Sequence, residues 1–192
     1  RDTFPSRGLG DVYKRQFLSK VDILQKTNFD IEEIGTPIKF NWGKCPLATA
    51  SFGHGITTTL LQLAKAYSII ANGGYNIQPT LIKEKKKFKK EKILNQEVSK
   101  KILPILRKIV TTKEGTASLA NVSGYEIGGK TGTAQKSVNG VYTKKKINSF
   151  ISVFPTSKPK FVLAIMLDEP KTNEDYIYHY RDGSNIKYKG TP

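Results

Sequence analysis

Gly129-Lys130-Thr131-Gly132-Thr133, running on through Ser137 to Asn139-Gly140 and then Ile147-Asn148-Ser149-Phe150-Ile151-Ser152-Val153-Phe154, is the stretch that decides the fold. Asn-Gly readily takes the two positive φ values that a tight hairpin turn demands. Lys130–Ser137 and Ile147–Phe154 therefore read as two antiparallel strands. Pro155 to Pro159 makes a further turn, and Phe161 to Leu167 is an apolar strand. After Asp168 the chain turns polar, with no closing element predicted before Pro192.

Upstream, the pattern is helical. Thr57 to Ala71 predicts the strongest helix, capped by Thr57 or Thr58, with Leu60, Leu61, Ala64, Tyr67 and Ile70 on one face and Gly73-Gly74 as its stop. Asn95 caps a second helix whose stripe is Val98, Ile102, Ile105, Leu106 and Ile109, and Pro104 inside it predicts a kink or break. Phe17 to Thr27 is weakly helical, Ile77 to Ile82 reads as a strand, and Thr116 to Ala120 as a short helix. Helices followed by hairpin-linked strands imply an α+β domain, an antiparallel sheet flanked by helices.

The lysine motif fits two chemistries. Gly124-x-x-x-x-Gly129-Lys130-Thr131 matches the phosphate-cradling P-loop, which needs a strand before it and a helix after it. The residues before it, Gly115 to Ser123, lack an apolar strand, and Gly132 and Asn139-Gly140 oppose a following helix. Phe161–Leu167 followed by Asp168 favours the nucleotide reading, since an aspartate after an apolar strand can hold Mg²⁺. The competing reading places Lys-Thr-Gly on an exposed edge strand, where an extended peptide pairs through main-chain hydrogen bonds. There the glycine admits close approach, the hydroxyls bind a carboxylate, and the lysine adds positive potential. The hairpin context favours the strand; a nucleotide-binding P-loop over Gly124–Thr131 remains the alternative.

Composition narrows the classes further. The net charge is +16, and Leu81 to Lys101 alone holds nine lysines against three glutamates. Such a run is read as a solvated loop and helix face, because a polyanion site would interleave arginines and stacking aromatics, and only Phe88 is present. A basic nucleic-acid or membrane module would map to Lys83–Lys92. Cys45 is the only cysteine, and His54 and His179 are far apart, so neither a disulfide, a metal nor a cofactor is expected. No run of 18 apolar residues occurs. Trp42 reads as a packing anchor, and His54, between glycines, as structural. Asp11-Val12-Tyr13-Lys14-Arg15-Gln16 is what the adapter-like sequence GAT GTG TAT AAG AGA CAG encodes, and Arg1 to Gln16 shows no helix or strand period. The expected division is a non-native segment over residues 1–16 and a partial domain over residues 17–192.

Ser123-Gly124-Tyr125-Glu126-Ile127-Gly128-Gly129-Lys130-Thr131-Gly132-Thr133-Ala134-Gln135 resembles the third motif of class B penicillin-binding proteins, the peptidoglycan D,D-transpeptidases. Ala48-Thr49-Ala50-Ser51-Phe52-Gly53-His54-Gly55-Ile56-Thr57-Thr58-Thr59-Leu60-Leu61-Gln62-Leu63-Ala64 is similar to the family's Ser-Phe-Gly-x-Gly block and the helix after it. Asn72-Gly73-Gly74, Pro79 and Gly115-Thr116-Ala117 continue the match. The chain departs from the family at Leu60, where the family usually has Pro at or beside that position, and at His54, where it has Gln or Tyr.

The resemblance implies the C-terminal part of a transpeptidase domain, truncated at both ends and of the division type. It implies a serine acyl-enzyme mechanism on peptidoglycan stem peptides, with β-lactams acylating the same serine. By motif position Lys130 is catalytic, Thr131, Gly132 and Thr133 bind substrate, and the Thr133 N–H is an oxyanion donor. It implies a periplasmic domain of an inner-membrane-anchored parent, working beside division-complex membrane proteins that include a glycosyltransferase. The family's Ser-x-x-Lys and Ser-x-Asn motifs precede the Ser-Phe-Gly block, yet neither occurs between Phe17 and Ala50. Ser157-Lys158-Pro159-Lys160 and Ser137-Val138-Asn139 fit those patterns but fall in a Pro-broken turn and in the hairpin. The chain alone is therefore expected to be inactive.

Overall fold

The computed structural model describes residues 5–31, 35–38, 48–83, 91–138, 141–171, 177–179 and 185–187; side chains are described from residue 12 to residue 171 within these ranges. Trp42, Cys45, the Asn139-Gly140 turn, the His179 side chain and most of the Lys83–Lys92 run lie outside them.

Helix α1 (Pro5–Lys20) covers most of the segment in which the sequence showed no period. It ends in a turn that buries Val21, so the weak helical signal over Phe17–Thr27 stops at Lys20. Helix α2 spans Leu60–Ala71 and is capped by Thr59 rather than Thr57 or Thr58. The Gln62 N–H donates to Thr59 Oγ1 at 3.2 Å while the Thr59 N–H donates to Gln62 Oε1 at 2.7 Å. Glutamine three residues past the cap is what selects Thr59.

The buried face of α2 is Gln62, Lys65, Ala66 and Ile69, not the apolar stripe read from the sequence. Gln62 Nε2 donates to the carbonyls of Asp22, Ile23 and Gln25, and Lys65 Nζ sits 2.5 Å from the Asp22 carboxylate. Two polar side chains are thus buried because they satisfy the turn after α1. Val21, Ala66 and Ile69 form a core cluster, joined by Ile23, Ile93 and Leu94.

No strand forms over Ile77–Ile82. Tyr75 bridges to Lys92, and beyond it the Thr80 hydroxyl and the Leu81 N–H both donate to the Asp30 carboxylate. Side-chain anchoring has replaced a ladder. These bonds also hold the Asp30 carboxyl below its ordinary value, the Thr80 hydroxyl first among them.

Helix α3 (Gln96–Thr111) is capped by Asn95, whose Oδ1 accepts from the Glu97 N–H at 3.1 Å. It runs through Pro104 without a break. Pro104 is exposed, where the carbonyl it leaves unbonded is cheaply solvated. Leu106, Val110 and Ser99 are buried, while Ile105 is exposed. A single 3-10 turn, Ser118–Ala120, follows.

Strands β1 (Gly128–Val138), β2 (Val141–Phe154) and β3 (Phe161–Asp168) form one antiparallel sheet in the order β1-β2-β3. Val138 pairs with Val141 across the predicted turn, and a bulge falls between Gln135 and Ser137. α3 packs on β1, and α2 on β3 and β2. Contrary to expectation the chain does not end without further structure: β4 (Ile177–His179) and β5 (Asn185–Lys187) pair antiparallel as a second sheet. The α+β fold with helices against an antiparallel sheet stands as expected.

Candidate active site

The site is built where β1 leaves α3. A Cβ on Gly128 would come within 2.9 Å of the Arg107 N and 2.6 Å of Thr156 Cγ2. Only glycine lets the strand begin this close to the helix, and that contact fixes where Lys130 emerges two residues later. Arg107 Nη1 donates to the Ile127 carbonyl at 2.7 Å, pinning the same entry point.

Lys130, Thr131, Gly132 and Thr133 then follow in order on β1, with Lys130 opposite Ile151 and Gly132 opposite Ser149. β1 is an edge strand: β2 pairs one side, and no other strand pairs with it among the described residues. Lys130 Nζ lies 2.8 Å from the Thr131 carbonyl oxygen, 3.3 Å from Thr131 Oγ1 and 3.4 Å from Thr116 Oγ1. Thr131 Oγ1 donates to Thr116 Oγ1 at 3.1 Å. Thr133 is exposed on the same strand. An ammonium group and a set of hydroxyls thus stand beside an unpaired strand edge. That arrangement suits an extended peptide ending in a carboxylate.

Thr116 is the member of this cluster to which sequence reading gave no role. It was visible only as part of Gly115-Thr116-Ala117. Nothing in a spacing of fourteen residues shows that the turn after α3 returns to the lysine.

The P-loop alternative fails here. Lys130 and Thr131 lie within an eleven-residue strand that begins at Gly128, and the next described element is another strand, so no helix follows the motif among the described residues. Asp168, which imitated a Mg²⁺ ligand, is bound to Lys136 at 2.7 Å. Lys136 also reaches Glu169, and Lys145 joins it there. Hydrogen bonds to Asp168 and Glu169 raise the Lys136 ammonium above its ordinary value, and those from Lys136 and Lys145 lower the Glu169 carboxyl.

Neither serine decoy forms a nucleophile. The Ser157 hydroxyl and N–H both donate to the Glu126 carboxylate, and no helix sets Ser157 and Lys160 on one face. Those two bonds, hydroxyl first, hold Glu126 below the usual carboxylate range, with Arg107 adding to them. Ser137 lies on the far end of β1. No group of three or more His, Cys, Asp or Glu among the described residues is placed to hold a metal. His54 Nε2 lies 3.4 Å from the Tyr142 hydroxyl. No helix among the described residues is long and apolar enough to cross a membrane.

The penicillin binding protein transpeptidase domain family matches residues 6–184. The chain is 35% identical over 136 residues to a probable peptidoglycan D,D-transpeptidase PenA of Neisseria flavescens, covering 70% of this chain and 34% of that protein. It is 30% identical over 169 residues to a probable peptidoglycan D,D-transpeptidase FtsI of Caulobacter vibrioides, covering 82% of this chain and 29% of that protein. The chain thus spans about a third of the length of these relatives. Its backbone superposes on penicillin-binding protein 3 of Mycobacterium tuberculosis complexed with ampicillin, with a TM-score of 0.75 and 26% identity, covering 82% of this chain and 39% of that one.

Proposed function

The chain belongs to the penicillin-binding protein transpeptidase family, and from that premise we propose that it supplies the substrate-holding strand of a division-type peptidoglycan D,D-transpeptidase. The observation that carries this reading is the order Lys130-Thr131-Gly132-Thr133 along the free edge of β1, with Thr116 bonded to the first two.

In this reading a serine outside the chain attacks the carbonyl carbon between two terminal D-alanines of a stem peptide. The C–N bond breaks, the amine leaves as D-alanine after taking a proton, and an acyl-serine ester remains. An amino group of a second stem then attacks the ester, forms the cross-link and returns the proton to the serine. Lys130 orients the substrate carboxylate and supports the serine hydroxyl. Thr131 and Thr133 bind the carboxylate, and the Thr133 N–H is one of the oxyanion donors. Gly132 binds the peptide through close backbone approach; within the sheet a Cβ there would also meet Ser149 Oγ of β2 at 2.8 Å.

Without Ser-x-x-Lys upstream of Ser51, the isolated chain does no chemistry in this reading. The intact protein is anchored in the inner membrane with this domain in the periplasm. Its partners are stem peptides, β-lactams, as the ampicillin complex of a relative supports, and a membrane glycosyltransferase with other division-complex proteins, as the likeness to an FtsI supports. Residues 1–16 are proposed to be non-native, the adapter reading being their support.

Fluorescent penicillin tests the core of this. The intact protein labels covalently, the isolated chain does not, and Lys130→Ala lowers the labelling rate of the intact protein by about 10²-fold or more. An intact protein that fails to label, or that labels unchanged after Lys130→Ala, overturns the reading.

A further inference from the structure

Glu126, Ile127 and Gly128 lead the chain up to Lys130, and each is fastened to a neighbouring element by its own contact. Glu126 Oε2 accepts from the Ser157 hydroxyl and, at 3.2 Å, from the Ser157 N–H. The Glu126 carbonyl accepts from the Thr156 N–H at 2.9 Å. Side chain and main chain of one residue thus grip two consecutive residues of the turn between β2 and β3. Ile127 is held from α3, where Arg107 Nη1 donates to its carbonyl at 2.7 Å. Gly128 begins the ladder opposite Val153.

Glu126 and Ser157 are exposed, and a hydrogen bond in water replaces bonds to solvent and adds little to stability. Its consequence is geometric. Among the described residues β1 has a strand on one side only, so the ladder restrains its first residues from that side alone. Lys130 lies two residues past Gly128, about 7 Å along the strand. A shift at the entry is therefore carried on to the ammonium group, and a reacting group misplaced by about 1 Å can lose about 10²-fold in rate. We propose that Glu126 and Arg107 are positioning residues: they brace the start of β1 against the β2–β3 turn and against α3, and so hold Lys130 where the substrate carboxylate meets it. This rests on the function proposed above. Both residues act through Lys130, and neither takes part in the chemistry.

The test measures penicillin acylation of the intact protein carrying Glu126→Ala, Glu126→Gln or Arg107→Ala, each made with Lys130 in place and again in the Lys130→Ala background. With Lys130 in place, the two alanine variants are expected to acylate about tenfold more slowly than their parent. In the Lys130→Ala background no ammonium group remains to be placed, and the same substitutions change the rate by less than about twofold. Glu126→Gln keeps an oxygen that accepts both Ser157 bonds and is expected to retain most of the rate. Equal losses in both backgrounds assign the two residues a purely structural role and overturn the proposal, as does no loss in either. A glutamine variant as slow as the alanine one excludes the Ser157 bonds as the cause and removes Glu126 from the brace. A wild-type protein that penicillin does not acylate is a different failure, that of the underlying functional reading.

Discussion

Thr116 and Lys130 show how a site forms from residues that the chain keeps apart. Thr116 Oγ1 accepts from Thr131 Oγ1 at 3.1 Å and lies 3.4 Å from Lys130 Nζ. Thr131 Oγ1 and the Thr131 carbonyl oxygen are also within reach of that ammonium group. The threonine thus sets the direction of both groups proposed to meet the substrate carboxylate. Thr116→Val keeps the side-chain volume and removes the oxygen. It is expected to slow penicillin acylation of the intact protein by about tenfold, the scale of one hydrogen bond to a charged or reacting group. Thr116→Ser, which restores the oxygen, is expected to recover most of that rate. Stopped-flow acylation with unchanged circular dichroism checks both variants, and a Val variant as fast as wild type removes Thr116 from the site.

At the scale of elements, the sheet was legible and the helix faces were not. Asn139-Gly140 pointed to paired strands over Lys130–Ser137 and Ile147–Phe154, because turn chemistry is a local property; the structure extends them to Gly128–Val138 and Val141–Phe154, so that the second strand starts six residues earlier than expected. The buried face of α2 depends on Gln62 and Lys65 answering the turn at Asp22, a contact across forty residues that no hydrophobic stripe reports. The same holds for Lys136, whose partners Asp168 and Glu169 lie at the end of β3. This cluster ties the remote end of β1 to the close of β3 and has a definite pH window. The carboxyl of Glu169 is lowered below its ordinary 4.5 by Lys136 first and Lys145 second, so its contribution is present above that value and fades as pH falls through the lowered one. Lys136 is raised above its ordinary 10.5, so its contribution is present below that value and fades as pH rises through the raised one. Between the two the contribution is level. Glu169→Gln is accordingly expected to lower the Tm of the intact protein modestly at neutral pH, and by less in high salt. The difference from wild type should close as the pH is taken well below 4.5. A Tm difference that persists unchanged into acid excludes the ion pairs as its cause.

For the whole molecule, the decisive quantity is the apolar surface that the sheet leaves uncovered. The sequence of β3 reads as an apolar strand, yet Phe161, Leu163, Ile165, Met166 and Leu167 are each between 44% and 59% exposed. Among the described residues the strand is also an edge, with β2 on one side only. Such an edge pairs with whatever extended chain it meets, and its apolar side chains favour that pairing. The chain covers 39% of the penicillin-binding protein 3 on which it superposes, so most of that relative's length lies outside the matched part. Expressed alone, the chain is therefore expected to self-associate through β3 and to bind an apolar fluorescent dye strongly. Replacing Ile165 and Leu167 with lysine puts charge on the edge and works against strand addition. That double variant should shift the isolated chain toward monomer in analytical ultracentrifugation and reduce its dye binding. In the intact protein the same substitutions are expected to be destabilising by about 2 kcal/mol or more if this face is covered there, because a buried unpaired charge is far costlier than an exposed one. Opposite signs in the two settings identify β3 as a face that the intact protein buries; a variant neutral in both shows that β3 stays in water throughout.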